Sequence, residues 1–375
     1  MKKRLDIFHL FDVKALIKMD WLLLVCVISI MIVGFYNLDS ISAATGNTFQ
    51  WKQLRWYCAG LFLVFIITCF DYRKLSSSFF SYFLYSATIL LLAVVLVWGR
   101  EIHGSKRWLF FFQPSELAKI SIIILTASYL FHYSKTSYSI KDLWKPILLL
   151  LIPAALVKAQ PDLGTAVIFF LIAGSMFLFA GIEWKSFIFF LFSAASLFAV
   201  VIMKNQIFFS SYQMSRILAF LNPADHASSL AYQTNQSVIA VGSGMLLGKG
   251  YKEGTQTHLS FLPEVETDFA FAVWAEETGF VGAIILTCLF LFFFYRCCKI
   301  ISETKDRFGL FLAFGSTVMI FWQWLINALM VLGWSPVVGL TYPLISYGGS
   351  SALVTCVSIG LLLSVSARRK MYYFK

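Results

Sequence analysis

Five carboxylates are concentrated in one short stretch of a chain that is otherwise poor in charge. Only 13% of the 375 residues are charged. A long loop precedes this stretch and a hydrophobic run follows it, so the acids lie where the chain enters an apolar environment. Carboxylates at such a position are costly and usually functional. Acid–base chemistry and a loop end that merely stays hydrated are the two interpretations. The stretch is FLPEVETDFAFAVWAEETG, residues 261–279, with Glu264, Glu266, Asp268, Glu276 and Glu277.

Two further stretches place charge at the ends of apolar runs. QPSELAK opens one run with a proline suited to the first turn of a helix, and it sets Glu116 and Lys119 at i, i+3 on one face. Such a pair neutralises itself, so a structural ion pair and a binding role both fit. AQPDLGTA separates two other runs. Its Asp162 fits either a helix cap or a carboxylate presented to a cavity between interrupted helices.

A fourth stretch supplies hydroxyl groups. SPVVGLTYPLISYGGSSA, residues 335–352, breaks the backbone with prolines and glycines near membrane depth. Broken backbone is tolerated there only where it is buried in protein or lines a polar cavity. Ser346 and Tyr347 would offer hydroxyls to such a cavity. The sequence contains no metalloprotease, serine-hydrolase or paired-cysteine motif, and we predict no protein-held metal site.

The composition indicates what must position these groups. The chain is 59% hydrophobic, with a mean hydropathy of +0.78, whereas a soluble domain carries about a quarter charged residues. The net charge of +11 is spread in short clusters between apolar runs, which is typical of topology determinants and argues against a nucleic-acid partner. We predict one all-α domain over residues 1–375, an integral membrane protein with about ten transmembrane helices.

Most lysines and arginines fall on the side of the two termini, so the predicted orientation is N-in, C-in. The basic residues predicted outside, among them Lys106, Arg107 and Lys119, share a face with the acids and suit an anionic head group such as a pyrophosphate. The predicted spans are 21–37, 52–70, 79–98, 115–132, a shorter proline-containing one at 144–159, 164–181, 184–203, 269–295, 308–332 and 345–367.

The longest loop, residues 204–268, is predicted to lie outside the membrane between spans seven and eight. Within it, YQTNQSVIAVGSGMLLGKG predicts an amphipathic interfacial helix followed by a glycine-rich turn. The turn does not fit a phosphate-binding P-loop, because no strand precedes it and its GK is followed by glycine. We expect a flexible loop that lies on the surface.

The motifs taken together resemble those of the SEDS family (shape, elongation, division and sporulation). GSKRW, FQPSELAK, AQPDLGTA, the glycine-rich loop, FLPE with TDFAFAV and YPLISYGGSS occur in the family's order and cover essentially the whole chain. FLPE followed by AVWAEE resembles the RodA elongation branch more than the FtsW division branch. The resemblance implies a multi-pass protein of the bacterial cytoplasmic membrane.

The resemblance also implies a function: polymerisation of lipid II into peptidoglycan at the extracytoplasmic face, together with a class B penicillin-binding protein. The family's catalytic aspartate falls on Asp268, which would act as general base. A divalent cation, Mg²⁺ or Mn²⁺, is an optional participant. The polar positions carried over motif by motif as substrate-binding are Glu116, Lys119, Asp162 and Glu264, and Trp108 matches a tryptophan of the family. Lys106, Arg107 and Ser346 complete the predicted substrate-binding set because of their charges and hydroxyl group.

One departure from the family pattern lies beside the proposed base. The residue two before Asp268, commonly histidine in the family, is Glu266 here. A neighbouring glutamate disfavours the ionised form of Asp268, because like charges oppose each other's ionisation.

Two other functions fit the same residues. A lipid II flippase would also use interrupted helices and intramembrane charge. We expect the polar groups to concentrate in the outer half with no inner counterpart, which favours surface chemistry over transport. A scaffold that only activates a partner synthase would need no intramembrane acids.

Overall fold

A computed structural model of the protein describes residues 12–102, 105–109, 112–186, 188, 220, 230–259 and 261–369. About three quarters of these residues are helical, as expected for the predicted all-α fold. The helices are α1 (Ala15–Lys18), α2 (Trp21–Thr45), α3 (Phe49–Cys69), α4 (Ser78–Trp98), α5 (Pro114–His132), α6 (Ile140–Ala159), α7 (Leu163–Ala180), α8 (Leu230–Ser243), α9 (Thr255–His258), α10 (Ala270–Glu303), α11 (Arg307–Val331) and α12 (Gly349–Arg368).

Eight helices in the described part of the chain are long and apolar enough to cross a membrane: α2, α3, α4, α5, α7, α10, α11 and α12. Each coincides with a predicted span. Helix α6 corresponds to the shorter predicted span and contains Pro146 and Pro153. The predicted span 184–203 lies almost entirely outside the described residues. The polytopic all-α fold is confirmed, while the N-in, C-in orientation stays a prediction.

The centre of the bundle is formed by α5 and α12, which are buried over most of their length, whereas α3 and α4 are largely exposed. Small residues let α12 pack tightly along α3. A Cβ added at Gly60 would lie 2.5 Å from Cys356 Sγ, and one at Gly360 would lie 2.9 Å from Ile67 Cβ. Close approach through small residues is the usual packing mode of membrane helices, where lipid is as apolar as leucine.

The structure differs from the sequence prediction between α4 and α5. Strands β1 (Arg100–Ile102) and β2 (Ser105–Trp108) form an antiparallel hairpin. Strand β2 is the SKRW part of the GSKRW motif, so Lys106 and Arg107 belong to a strand, which the predicted all-α fold did not include. Two strands of this length are not stable by themselves, because they bury little apolar surface. Hydrogen bonds from Arg107 attach the hairpin to the helices.

Helix α10 differs from the single continuous span that was predicted. Gly279 has φ 67° and ψ −165°, which interrupts the helix two residues after Glu277. A residue with these dihedrals cannot continue the i to i−4 hydrogen-bond ladder, so carbonyls before the break and amides after it need other partners. The glycine turn, residues 244–250, supplies them.

Candidate active site

Asp268 lies on a tight turn just before α10. The carbonyl of Glu264 accepts from the amides of Thr267 (3.2 Å), Asp268 (3.1 Å) and Phe269 (3.3 Å). Glu264 adopts the left-handed conformation, with φ +52°, which a non-glycine residue adopts at a cost. The turn leaves Asp268 half-buried and Glu264 exposed. Glu264 therefore shapes the turn through its backbone, and its proposed contact with substrate stays a prediction.

The turn is held against the loop of residues 335–352, here called the serine–glycine loop. The amide of Tyr347 donates to the carbonyl of Glu266 at 2.7 Å. Asn327, on α11, donates from Nδ2 to the carbonyls of Asp268 (2.8 Å) and Leu340 (2.6 Å). The candidate base is thus tied to this loop on both sides.

Burial changes the acidity of two groups at this contact. The pKa of Glu266 is raised, mainly because the carboxyl is half-buried and secondly because Glu264 is charged. The pKa of the Tyr347 hydroxyl is also raised by burial, against the opposing effect of Arg55. The residue that departs from the family pattern is therefore itself partly desolvated, two positions from Asp268.

Asp162 caps the N-terminus of α7, which is one of the two roles predicted for it from the sequence. Its carboxylate accepts from the amide of Thr165 at 3.2 Å and from the Thr165 hydroxyl at 2.9 Å. It also accepts from Gln113 Nε2 at 3.3 Å and lies 4.0 Å from Arg107 Nη1. The side chain is nearly fully buried. The cap is confirmed, and a further role in binding substrate stays a prediction.

Arg107 fastens the hairpin to the turn before α7. Its guanidinium donates to the carbonyls of Gln160 (3.2 Å) and Pro161. This forked geometry is one that lysine does not reproduce. Trp108 is partly buried at the end of β2, paired in register with Arg100, and the side chain of Lys106 lies outside the described residues.

Glu116 and Lys119 form the predicted ion pair in the first turns of α5. Lys119 Nζ lies 2.6 Å from Glu116 Oε1, and the lysine side chain is completely buried. Glu116 Oε2 is buried with no hydrogen-bond partner among the described residues. A buried carboxylate oxygen without a hydrogen bond destabilises a fold. The ion pair with Lys119 therefore does not satisfy all of the hydrogen-bonding capacity of Glu116.

The serine–glycine loop contacts all three charged segments. Beyond its contacts with the Asp268 turn, Ser350 Oγ accepts from the amide of Gln113 at 3.0 Å, just before α5. The PDLG turn is also in contact, because a Cβ added at Gly164 would lie 2.6 Å from the carbonyl oxygen of Val338. Residues distant in sequence are therefore assembled on one loop.

Ser346 has a structural role within this loop. Its Oγ accepts from the amide of Tyr342 at 2.9 Å, and the residue is buried. Tyr57 and Gln53, both on α3, brace the loop through the carbonyl of Leu344 (2.7 Å) and the amide of Gly348 (3.1 Å). The predicted contact between Ser346 and substrate stays untested, and its hydroxyl is already engaged.

Glu276 and Glu277 stabilise the break in α10. Glu276 is fully buried, and its Oε1 accepts from Lys249 Nζ (2.5 Å), Thr255 Oγ1 (3.1 Å) and the amide of Gln256 (3.2 Å). Glu277 accepts from Ser40 on α2. Glu276 is therefore paired with a cation and has a structural role.

The glycine turn completes the backbone of α10. The amides of Lys249 and Gly250 donate to the carbonyls of Glu276 (3.0 Å) and Glu277 (3.1 Å), and the amides of Phe280 and Val281 donate to Met245 (2.8 Å) and Leu246 (3.1 Å). The predicted helix followed by a glycine-rich turn is confirmed. The expected surface position is confirmed by the exposed side chains of Met245, Leu246 and Leu247. The expected flexibility is wrong for residues 244–250, because four backbone hydrogen bonds fix them.

Buried charge also occurs at the opposite ends of the helices. Asp20 is buried and pairs with Arg296 at 2.5 Å and Arg369 at 3.7 Å. Arg368 is buried and donates to the carbonyl of Thr68 at 3.0 Å. The expectation that the acids near Asp268 have no counterpart at the other end is wrong. These side chains tie helix ends together.

Sequence reasoning missed three buried amide side chains that join distant segments of the chain. Asn327, Asn37 and Gln53 are buried, and each contacts the backbone of another segment. Polar residues within apolar spans are the signal that would have found them, because such residues are rare there and usually have a defined partner.

The comparisons with known proteins decide the family. The sequence profile of the FtsW/RodA/SpoVE cell cycle proteins matches residues 14–371. The chain belongs to this family. The peptidoglycan glycosyltransferase MrdB of Escherichia coli (strain K12) is 37% identical over 295 residues, which covers 77% of this chain and 78% of MrdB.

Solved structures extend this family resemblance to the fold. A chain from a peptidoglycan synthase complex, in which polymerization and crosslinking are coordinated, matches with a TM-score of 0.79 and 31% identity, covering 94% of this chain and 99% of that one. The rod shape determining protein RodA of Thermus thermophilus matches with a TM-score of 0.69 and 29% identity, covering 94% and 98%. Together with the eight apolar helices, these matches identify a multi-pass bacterial membrane protein.

Proposed function

We propose that this protein is a peptidoglycan glycosyltransferase that polymerises lipid II at the extracytoplasmic face of the membrane for cell-wall elongation and cell shape. Its relative MrdB carries that enzyme name. The observation that carries the proposal is the serine–glycine loop, which contacts the Asp268 turn, the Asp162 cap and the start of α5. The same loop is thus in contact with the turn of a half-buried carboxylate and with two segments that lie beside Arg107 and Lys119.

In the proposed reaction Asp268 acts as general base. Its carboxylate takes the proton of the GlcNAc 4-hydroxyl of one lipid-linked saccharide, and that oxygen attacks C1 of the MurNAc of another. The C1–oxygen bond to undecaprenyl pyrophosphate breaks, and the pyrophosphate leaves with the bonding electrons. The α-linked donor becomes a β-1,4 bond with inversion. A positioned base typically contributes about 10²–10⁴-fold in rate.

Stabilisation of the departing pyrophosphate is assigned to basic residues on the same face. Arg107 is the more accessible candidate, with 27% of its side chain exposed, while Lys119 is completely buried. Lys119 would reach a pyrophosphate only if the start of α5 opened. Glu116 Oε2 has no hydrogen-bond partner in the described part of the chain, which is consistent with an ion pair that can exchange partners.

No step of this proposal passes through a divalent cation. Within the described residues no three histidine, cysteine, aspartate or glutamate side chains lie close enough together to hold a metal ion. Mg²⁺ commonly binds through one or two carboxylates and substrate phosphates, so a cation carried by the pyrophosphate would need few protein ligands. Polymerisation in EDTA, with and without added Mg²⁺ or Mn²⁺, tests the requirement.

The proposed partner is a class B penicillin-binding protein, the transpeptidase that crosslinks the new strand. Support comes from the structural match to a synthase complex that coordinates polymerization with crosslinking. Glycan strands made by one subunit are the substrate of the other, so a stable pair keeps product and second active site together.

The test is polymerisation of purified lipid II by the protein reconstituted with this partner in liposomes. The proposal predicts that Asp268→Asn forms glycan strands about 10²–10⁴-fold more slowly than the wild type when both fold equally. A flippase would move lipid II across the bilayer without forming strands. A scaffold would leave polymerisation to the partner and tolerate Asp268→Asn. Either result would contradict the proposal.

A further inference from the structure

Asn327 occupies an unusual position near the end of α11. It lies within the apolar run WLINALMV and is completely buried. Both protons of its carboxamide are used: Nδ2 donates to the carbonyl of Asp268 at 2.8 Å and to that of Leu340 at 2.6 Å. One side chain therefore joins the turn of the candidate base to the serine–glycine loop.

A completely buried asparagine in an apolar run lowers the stability of the folded protein. Its Oδ1 is buried and has no hydrogen-bond partner in the described part of the chain, and a buried polar group without a partner destabilises a fold. An apolar residue of similar size would avoid that cost if packing were the only role. The two donated hydrogen bonds are what an apolar side chain cannot supply.

We infer that Asn327 is a positioning residue for the transfer reaction, holding the backbone of Asp268 at a fixed distance from the serine–glycine loop. The inference rests on the proposed function of Asp268. A carboxamide suits this task because it presents two donors in a plane, one for each carbonyl. A base displaced by about 1 Å loses on the order of 10²-fold in rate, so anchoring its backbone on both segments has a direct kinetic consequence.

A second buried asparagine provides a matched control. Asn37, on α2, donates from Nδ2 to the carbonyl of Ala270 at 2.9 Å, and its Oδ1 is likewise without a partner among the described residues. It has the same side chain and burial, and it bonds the same helix start. However, its acceptor is already in the first turn of α10 and does not belong to Asp268.

The experiment measures kcat and KM for lipid II with Asn327→Ala, Asn327→Asp and Asn37→Ala, each reconstituted with the transpeptidase partner. We expect Asn327→Ala to lower kcat by roughly 10²-fold with KM unchanged. Asn327→Asp should lower it further, because a carboxylate has no donors and repels both carbonyls. Asn37→Ala should retain kcat even if its melting temperature falls.

The outcomes separate the alternatives. A folded Asn327→Ala with wild-type kcat would overturn the inference, as would an equal loss of kcat in Asn37→Ala. If Asn327→Ala does not fold, the test uses Asn327→Ser, whose hydroxyl keeps one hydrogen-bond donor. A reduced kcat of Asn327→Ser supports the inference, and a wild-type kcat overturns it. Activity retained by Asp268→Asn would instead refute the proposed function itself, whatever Asn327 does.

Discussion

Lys249 Nζ lies 2.5 Å from the carboxylate of Glu276, beside the point where α10 is broken. The lysine belongs to the glycine turn and the glutamate to the helix, 27 positions later. The backbone of the turn replaces the missing helical hydrogen bonds at Gly279, and the ion pair adds a side-chain contact between the same two segments. The break therefore fastens the glycine turn, residues 244–250, to the helix that follows Asp268.

Replacing Glu276 with glutamine should destabilise the protein strongly. Glu276 is fully buried and Lys249 is three-quarters buried, and removing one partner of such a pair costs roughly 3–5 kcal/mol because the other charge is left unpaired. Thermal unfolding in detergent measures the loss. The exposed pair between Lys135 and Asp142 is the control: Lys135→Gln should change the melting temperature little. Equal shifts for the two variants would show that the buried pair has no special role.

The glycine turn should not tolerate a side chain at Gly248. This residue has φ +82°, and an added Cβ would lie 2.0 Å from the carbonyl oxygen of Glu277. Gly248→Ala should therefore detach the turn from α10 and lower both melting temperature and polymerisation. Gly242→Ala, in helix α8 with no described atom within 4 Å of the added Cβ, should be neutral or stabilise by up to about 1 kcal/mol.

Wild-type stability for Gly248→Ala would contradict the account of the helix break. Hydrogen–deuterium exchange of residues 245–250 is the more local readout: uptake should rise in Gly248→Ala and stay unchanged in Gly242→Ala.

Glu266→Gln should change two pH dependences. Burial raises the pKa of Glu266 above its ordinary 4.5, so the folded protein binds this proton more tightly than the unfolded chain does. Wild-type stability therefore falls as pH rises from 4.5 through the raised pKa, and it is unaffected by this group below 4.5. The Glu266→Gln variant should not show this decrease in stability, because glutamine does not titrate. The acidic limb of kcat/KM should also move to lower pH, because a neighbouring negative charge is removed.

Glu253→Gln, at an exposed acid shortly after the glycine turn, is the control for nonspecific charge effects. If Glu266→Gln and wild type have superimposable pH profiles of both melting temperature and kcat/KM, Glu266 does not influence the candidate base.

Much of the fold follows from local sequence patterns. Apolar runs long enough to cross a membrane predict the spans. The Asp162 cap and the Glu116–Lys119 pair can also be anticipated, because in each case the two partners are only three positions apart in the sequence. The charges of Asp20, Arg368 and Arg369 at the opposite helix ends were missed, because their partners come from distant helices.

The assembly of the site could not be predicted in the same way. Gly279 is one glycine in an apolar run, and its break depends on four hydrogen bonds from residues 245–250. The fork of Asn327 depends on two carbonyls that are 72 positions apart in the chain. Contacts of this kind are determined by tertiary packing, which composition and periodicity do not encode.

The central claim is that Asp268 is the base of a glycosyl transfer, and the rate of glycan-strand formation from lipid II tests it most directly. Reconstituted with its transpeptidase partner and shown to unfold at the wild-type temperature, Asp268→Asn should polymerise about 10²–10⁴-fold more slowly. Binding of lipid II should be unchanged. Polymerisation by Asp268→Asn at the wild-type rate would contradict the account.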